Sequence, residues 1–275
     1  MSSHSLDRAL ALAPVTHAET EAVFSGHYQG LYANMIGPFG GLMAATVLQG
    51  VLQHPSRRGD PLSVTVNFAS ALADAPFEVR SQLARATRST QHWQVSVMQN
   101  GQVALTGTVM LATRQDSSWE ATELVMPAVP PVTEVPRLDT DGFFPPWLRH
   151  YALHVVAGGI GPQTPPVTGR ASESTLWVRD EPPRALDFLS LLALSDVFFP
   201  RVFVARQQMM PAGTVTLTTY FHADAEALAR QGARELLGVA RGNRFHRGFF
   251  DQDAELWSHD GELLVTTHQV VYFKG

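Results

Sequence analysis

The chain has 275 residues, 45% of them hydrophobic and 16% charged, enough apolar material for one large core or two of about 100–150 residues each, which excludes disorder as the dominant state. It has no cysteine, so disulfides, thiolate nucleophiles and the usual structural zinc sites are excluded, and any nucleophile is an oxygen group or water. A net charge of -5 without any basic block excludes a nucleic-acid footprint, and a single lysine, Lys274 near the C-terminus, disfavours P-loop and Schiff-base chemistry.

A small-molecule site is expected. The N-terminus lacks a basic start and offers only the short apolar run Ala9 to Pro14, which does not read as a secretory signal, so a cytoplasmic location is the default expectation. Gly40-Gly41 then opens an apolar run, Leu42 to Leu48, continuing to Leu52, that makes a helix of about three turns. A helix apolar on nearly every face must be surrounded by protein. Strand-like stretches follow at Leu62 to Ala69, Phe77 to Thr87, His92 to Gln99 and Val103 to Ala112, the last two joined through Asn100-Gly101, a strong hairpin signal.

Nine of the 18 prolines lie between Gln115 and Gly169, which predicts an extended connection with at most a short helix near Trp147 to Val156. His150 and His154 have i, i+4 spacing but no convincing third ligand, so no metal is assigned. Beyond it the order repeats. A strand at Ser174 to Arg179 precedes a helix from about Ala185 to Phe198, and then strands at Thr214 to Phe221, Glu235 to Arg241, Phe245 to Trp257 and Leu263 to Phe273. Asp260-Gly261 takes the place of Asn100-Gly101, and the polar segment Ala225 to Arg234 reads as a loop insertion. The expectation is an α+β chain of two units, 1–114 and 170–275, joined by a Pro-rich linker 115–169. Each unit wraps an antiparallel sheet around its helix.

Several residues could carry chemistry. Asp196 stands in an otherwise apolar helix that Pro200 terminates, where burial and the helix C-terminus would both raise its pKa toward general-base use, or where it simply points to solvent. Thr214, Thr216 and Thr218 alternate and so would share one strand face; one hydroxyl could hold a water, or the run expresses ordinary β-propensity. Gln269 interrupts the strand Val265 to Val271, either pointing into a site or lying on an outward edge. Gly40 and Gly41 can present free N–H groups to a substrate oxygen or serve close packing. Arg244 lies with Arg241 and Arg247 around Gly242-Asn243, either binding phosphates of a nucleotide-like ligand or rimming a solvated hairpin.

In combination, Phe39-Gly40-Gly41, Gln99-Asn100-Gly101, Leu194-Ser195-Asp196, Tyr220-Phe221-His222, Gly248-Phe249-Phe250-Asp251, Asp260-Gly261 and Thr267-His268-Gln269 resemble the acyl-CoA thioesterase II family of double hotdog proteins over about residues 18–273. The resemblance implies two tandem hotdog units, a homodimer or higher homo-oligomer, and hydrolysis of fatty acyl-CoA without a cofactor. It also implies an attacking water held by Asp196, Thr214 and Gln269. At Leu62-Ser63-Val64 the chain departs from many close relatives, which carry a histidine there. Two other readings stand beside it: a non-catalytic acyl-CoA or lipid-binding protein, and a hotdog hydratase or dehydratase using His222 or His268.

Overall fold

The computed structural model describes residues 3–140, 145–161 and 171–275. Gly40–Leu52 forms the expected apolar helix (α2), preceded by a short helix at Ser5–Ala9 (α1). Ten of the thirteen residues of α2 are buried, and the lone hydroxyl on it, Thr46, donates to Leu42 O (3.0 Å) and lies 2.9 Å from the Tyr28 hydroxyl. Burial of so apolar a helix is the main local driving force for sheet wrapping. Two close approaches fit the sheet to it, Gly50 against Val79 and Gly107 against Val47.

The strands are Leu12–His17 (β1), Glu21–Gly26 (β2), Asp60–Phe68 (β3), Phe77–Ala86 (β4), Thr90–Gln99 (β5), Gln102–Ala112 (β6), Tyr151–Ala157 (β7), Ser174–Asp180 (β8), Ala212–Phe221 (β9), Leu236–Arg241 (β10), Phe245–His246 (β11), Phe249–Trp257 (β12) and Leu263–Phe273 (β13). Apart from β11, which pairs only with β12, they form one antiparallel sheet in the order β1-β2-β4-β5-β6-β3-β9-β13-β12-β10-β8-β7. This order is palindromic about the β3–β9 seam. There the Thr65 and Thr218 hydroxyls meet at 3.0 Å, and an offset of 153 positions carries Thr65 to Thr218 and Phe68 to Phe221. The same offset carries a β-bulge from Leu62 to Val215, since the register shifts between Pro61 and Ser63 in β3 and between Thr214 and Thr216 in β9. The duplication read from the sequence is therefore present down to a one-residue irregularity.

Several local expectations change. Only the start of the segment Trp147 to Val156 is helical: a short 3-10 helix at Pro146–His150 runs into β7, whose largely buried residues pair with β8, so the Pro-rich segment supplies an edge strand to the second half. His150 and His154 thus have no helix to bring them together; His154 Nδ1 bonds Val135 O at 2.7 Å, and His150 stacks on Tyr32. Pro162, Pro165 and Pro166 and the 169/170 boundary lie outside the described residues. Ala225–Gln231 is a helix (α5), because Asp224 caps it by accepting from Ala227 N and Ala227, Leu228 and Gln231 bury one face. The second long helix is shorter than expected, Phe188–Leu194 (α3), capped by Asp187, and a separate helix (α4) begins after Pro200, at Arg201–Arg206. Asn100-Gly101 is the two-residue turn its positive φ angles require, whereas β12 and β13 are joined by the longer loop 258–262. Among the described residues, no helix is long and apolar enough to cross a membrane.

Candidate active site

The site lies where the N-terminus of α2 meets the turn after α3. Gly41 makes that approach possible, because a Cβ there would sit 2.4 Å from the carbonyl oxygen of Ala193. Asp196 is not inside a helix. It occupies the turn that follows, where the Ser195 hydroxyl donates to Leu192 O (2.8 Å) and the Asp196 N–H to Ala193 O (3.2 Å). The closeness of the two helices presses the carboxyl against Gly40, whose Cβ would lie 2.6 Å from Asp196 Oδ2.

The bulge in β9 decides which threonine faces it. Thr214 pairs with Val271 and Thr216 with Val270, and cross-strand partners share a face, so Thr214 joins the side of Val271 and Gln269 while Thr216 and Thr218 turn to the other. The expectation that all three threonines share a face is thereby overturned. Gln269 is not on an edge. β13 runs between β9 and β12, and the Gln269 side chain is 1% exposed.

A buried amide needs partners for both its ends, and Gln269 has them. Its Nε2 donates to Asp196 Oδ1 at 2.8 Å, and its Oε1 accepts from the Thr214 hydroxyl at 3.3 Å. The half-buried Asp196 carboxyl is enclosed by protein except where it faces a cavity of about 720 Å³. Desolvation raises its pKa to about 7 despite the opposing hydrogen bond from Gln269 and the opposing influence of the Gly41 N–H. The cavity wall includes Gly40, Thr214 and Gln269 with an apolar surround of Met43, Phe68, Phe198, Phe203 and Met210. Phe39 and Trp147, stacked at 4.3 Å, also line it, so the Pro-rich segment contributes to the site.

Some expected participants are elsewhere. Arg244 is exposed in the turn after β10, its N–H held by Asp251 Oδ1 at 2.8 Å, and does not line the cavity; its neighbour Arg241 is paired with Glu255. The Gly41 N–H, expected to face a substrate oxygen, also acts on Asp196 and lowers the pKa that burial raises. His222 contacts Thr266 and His268 contacts Asp253, and neither lines the cavity. Gln252, paired in register with Gln269, lines the cavity and is 2% exposed. Its place beside Gln269 depends on the β12–β13 register, which the loop length alone did not reveal.

Residues 126–273 match the model of the acyl-CoA thioesterase C-terminal domain, and residues 31–112 match that of the N-terminal domain. The chain belongs to the acyl-CoA thioesterase family. Among solved structures, this thioesterase-family chain is similar to a hot dog fold protein of unknown function from Alicyclobacillus acidocaldarius, with 43% identity, a TM-score of 0.90 and coverage of 100% of this chain and 99% of the other. A putative thioesterase II from Thermobifida fusca shares 20% identity with a TM-score of 0.83, covering 100% and 99% of the two chains. An acyl-CoA thioesterase II from Mycobacterium marinum shares 18% identity with a TM-score of 0.75, covering 98% of each. The last two likenesses concern the fold, which is that of tandem hotdog units. Among curated proteins, none matches this chain.

Proposed function

We propose that this protein hydrolyses fatty acyl-CoA to free fatty acid and CoA by direct attack of water. The observation that carries the reading is the chain of hydrogen bonds Thr214 to Gln269 to Asp196 on the wall of a largely apolar cavity. An apolar cavity suits an acyl chain, and a carboxyl poised near neutrality suits removal of a proton from water. Asp196 takes the proton as the water oxygen bonds to the thioester carbon. Thr214 and Gln269 fix the carboxyl and the water. The Gly40 N–H, in the first turn of α2 and without a protein hydrogen bond among the described residues, donates to the carbonyl oxygen. Collapse of the tetrahedral adduct breaks the C–S bond, and Asp196 returns the proton to the thiolate. No covalent enzyme intermediate is required.

The test is thiol release from short-, medium- and long-chain acyl-CoAs, with wild type and Asp196→Asn side by side. Release that depends on Asp196 supports hydrolysis. No release, with acyl-CoA still raising the melting temperature, overturns it in favour of a binding protein. The threonines provide a second check. Thr214→Val should lower kcat about 10-fold, the loss of roughly one hydrogen bond, while Thr216→Val on the opposite face leaves kcat unchanged. Equal kcat values for the two variants would remove Thr214 from the mechanism.

A further inference from the structure

Among the described residues the deepest cation is Arg201, which is 0% exposed and lies directly behind the cavity wall, bonded to the wall residue Gln252. Its guanidinium donates to Gln252 Oε1 (3.0 Å), Ser172 O (2.9 Å), Ser174 Oγ (2.8 Å), Ala240 O (3.3 Å) and Phe199 O. Every one of these acceptors is neutral, and no ion pair among the described residues reaches it. Burial lowers its pKa only to about 9, so it remains a cation at neutral pH.

An arginine with no anionic partner needs a purpose, because an uncompensated buried charge is destabilising. Its effect on Gln252 supplies one. Arginine has only donors, so the bond to Oε1 fixes the amide orientation and leaves Nε2 as the end presented elsewhere. Among the described residues, Nε2 has no hydrogen-bond partner, although Gln252 is almost wholly buried and lines the cavity. Gln252 stands directly opposite Gln269, a placement that puts the Cβ atoms of neighbouring strands about 5 Å apart. Of the other side-chain donors near the carboxyl, the Thr214 hydroxyl is committed to Gln269 and one Gln269 N–H to Asp196.

We propose that Gln252 Nε2 is a donor to the thioester carbonyl oxygen, joining the Gly40 N–H, and that Arg201 is a positioning residue that orients and polarises this amide. This inference rests on the hydrolytic reading above. As water bonds to the carbonyl carbon, the C=O π pair moves onto oxygen, and that oxygen accepts from Gln252. When the C–S bond breaks, the pair returns to re-form the carbonyl. Donation from a cation to Oε1 strengthens the N–H on the far side of the same amide, and the buried positive charge favours the anionic adduct over the neutral thioester.

Gln252→Glu is the informative variant. It keeps an acceptor for Arg201 but removes the N–H. The expected result is a fall in kcat of about 10²-fold at the high-pH plateau, with KM changed less than roughly threefold. A second readout needs no turnover: the carbonyl stretch of a bound acyl-CoA analogue with CH2 in place of the thioester sulfur. It should lie at lower frequency in the wild type than in Gln252→Glu. Arg201→Lys should move both readouts part of the way. If Gln252→Glu does not fold, Gln252→Met, neutral and of similar volume, gives the same two readouts. An unchanged kcat and stretch would overturn the inference while leaving hydrolysis intact, as would a loss confined to acyl chains that carry an oxygen substituent. A wild type that neither binds the analogue nor releases thiol overturns the thioesterase reading and this inference with it.

Discussion

Asp196→Asn is expected to lower thiol release by about 10²–10⁴-fold while the protein remains folded. The asparagine is nearly isosteric and can still accept from Gln269 Nε2, so the turn after α3 keeps its shape, but it cannot take a proton from water. Wild-type kcat should rise with pH through about 7 as the carboxyl ionises, and this limb should vanish in the variant. Stability gives an independent check of the same group. Its folded pKa of about 7 lies above the ordinary 3.8, so between those values the folded state holds more proton than the unfolded chain. Stability therefore falls as pH rises through that window, an effect absent below it and complete above it. Denaturant unfolding of Asp196→Asn should show a shallower decline between about pH 4 and 7. A variant with wild-type kcat, or with an undiminished slope, would show that Asp196 is not the buried base.

Gly41→Ala is the second large effect. The added methyl would lie 2.4 Å from Ala193 O and 2.6 Å from Phe39 Cε1, both in the wall that positions the site. A backbone carbonyl cannot rotate aside, so α2 must move away from α3. Overpacking of this kind destabilises by roughly 1–3 kcal/mol. The same movement shifts Gly40 relative to Asp196, and a displacement near 1 Å can lower activity about 10²-fold. Gly50→Ala, in the same helix, is the control: its methyl would meet Cγ1 of the buried, β-branched Val79 at 2.6 Å, so it overpacks the sheet side of α2 and leaves the crossing with α3 untouched. It should lose stability but retain kcat. Equal losses of kcat in the two variants would mean that the tight crossing at Gly41 has no special connection to activity.

The features readable in the sequence were those with a local physical cause. An apolar helix opened by two glycines, a hairpin at Asn100-Gly101 and the recurrence in the second half of an apolar helix followed by strands are all local patterns. β7 was hidden because proline density around it argued for connection, and pairing with β8 outweighed that local bias. The helix at Ala225–Gln231 was obscured by its polar face, although Asp224 offered a cap signal. At the site, Asp196 and Gln269 stood out as polar residues in apolar runs. The phase of the threonine run did not, because a bulge at Val215 changes the face without any change in composition. Arg244 belonged to a conspicuous cluster of arginines, but Asp251 folds its turn away from the cavity.

The matched bulges in β3 and β9 bear on how many ligands one chain can process. Following the 153-position offset through the strand registers, Pro61 stands where the other half has Thr214, and Val109, paired with Val64, stands where it has Gln269. Trp93, opposite Val109, replaces Gln252. Those three side chains offer neither a hydroxyl nor an amide at the corresponding spot, and Val109 and Trp93 are 0% and 1% exposed. The ancestral symmetry of the sheet has thus been kept as a scaffold while its chemistry has become one-sided, so titration with a non-hydrolysable acyl-CoA should saturate at a single equivalent per polypeptide.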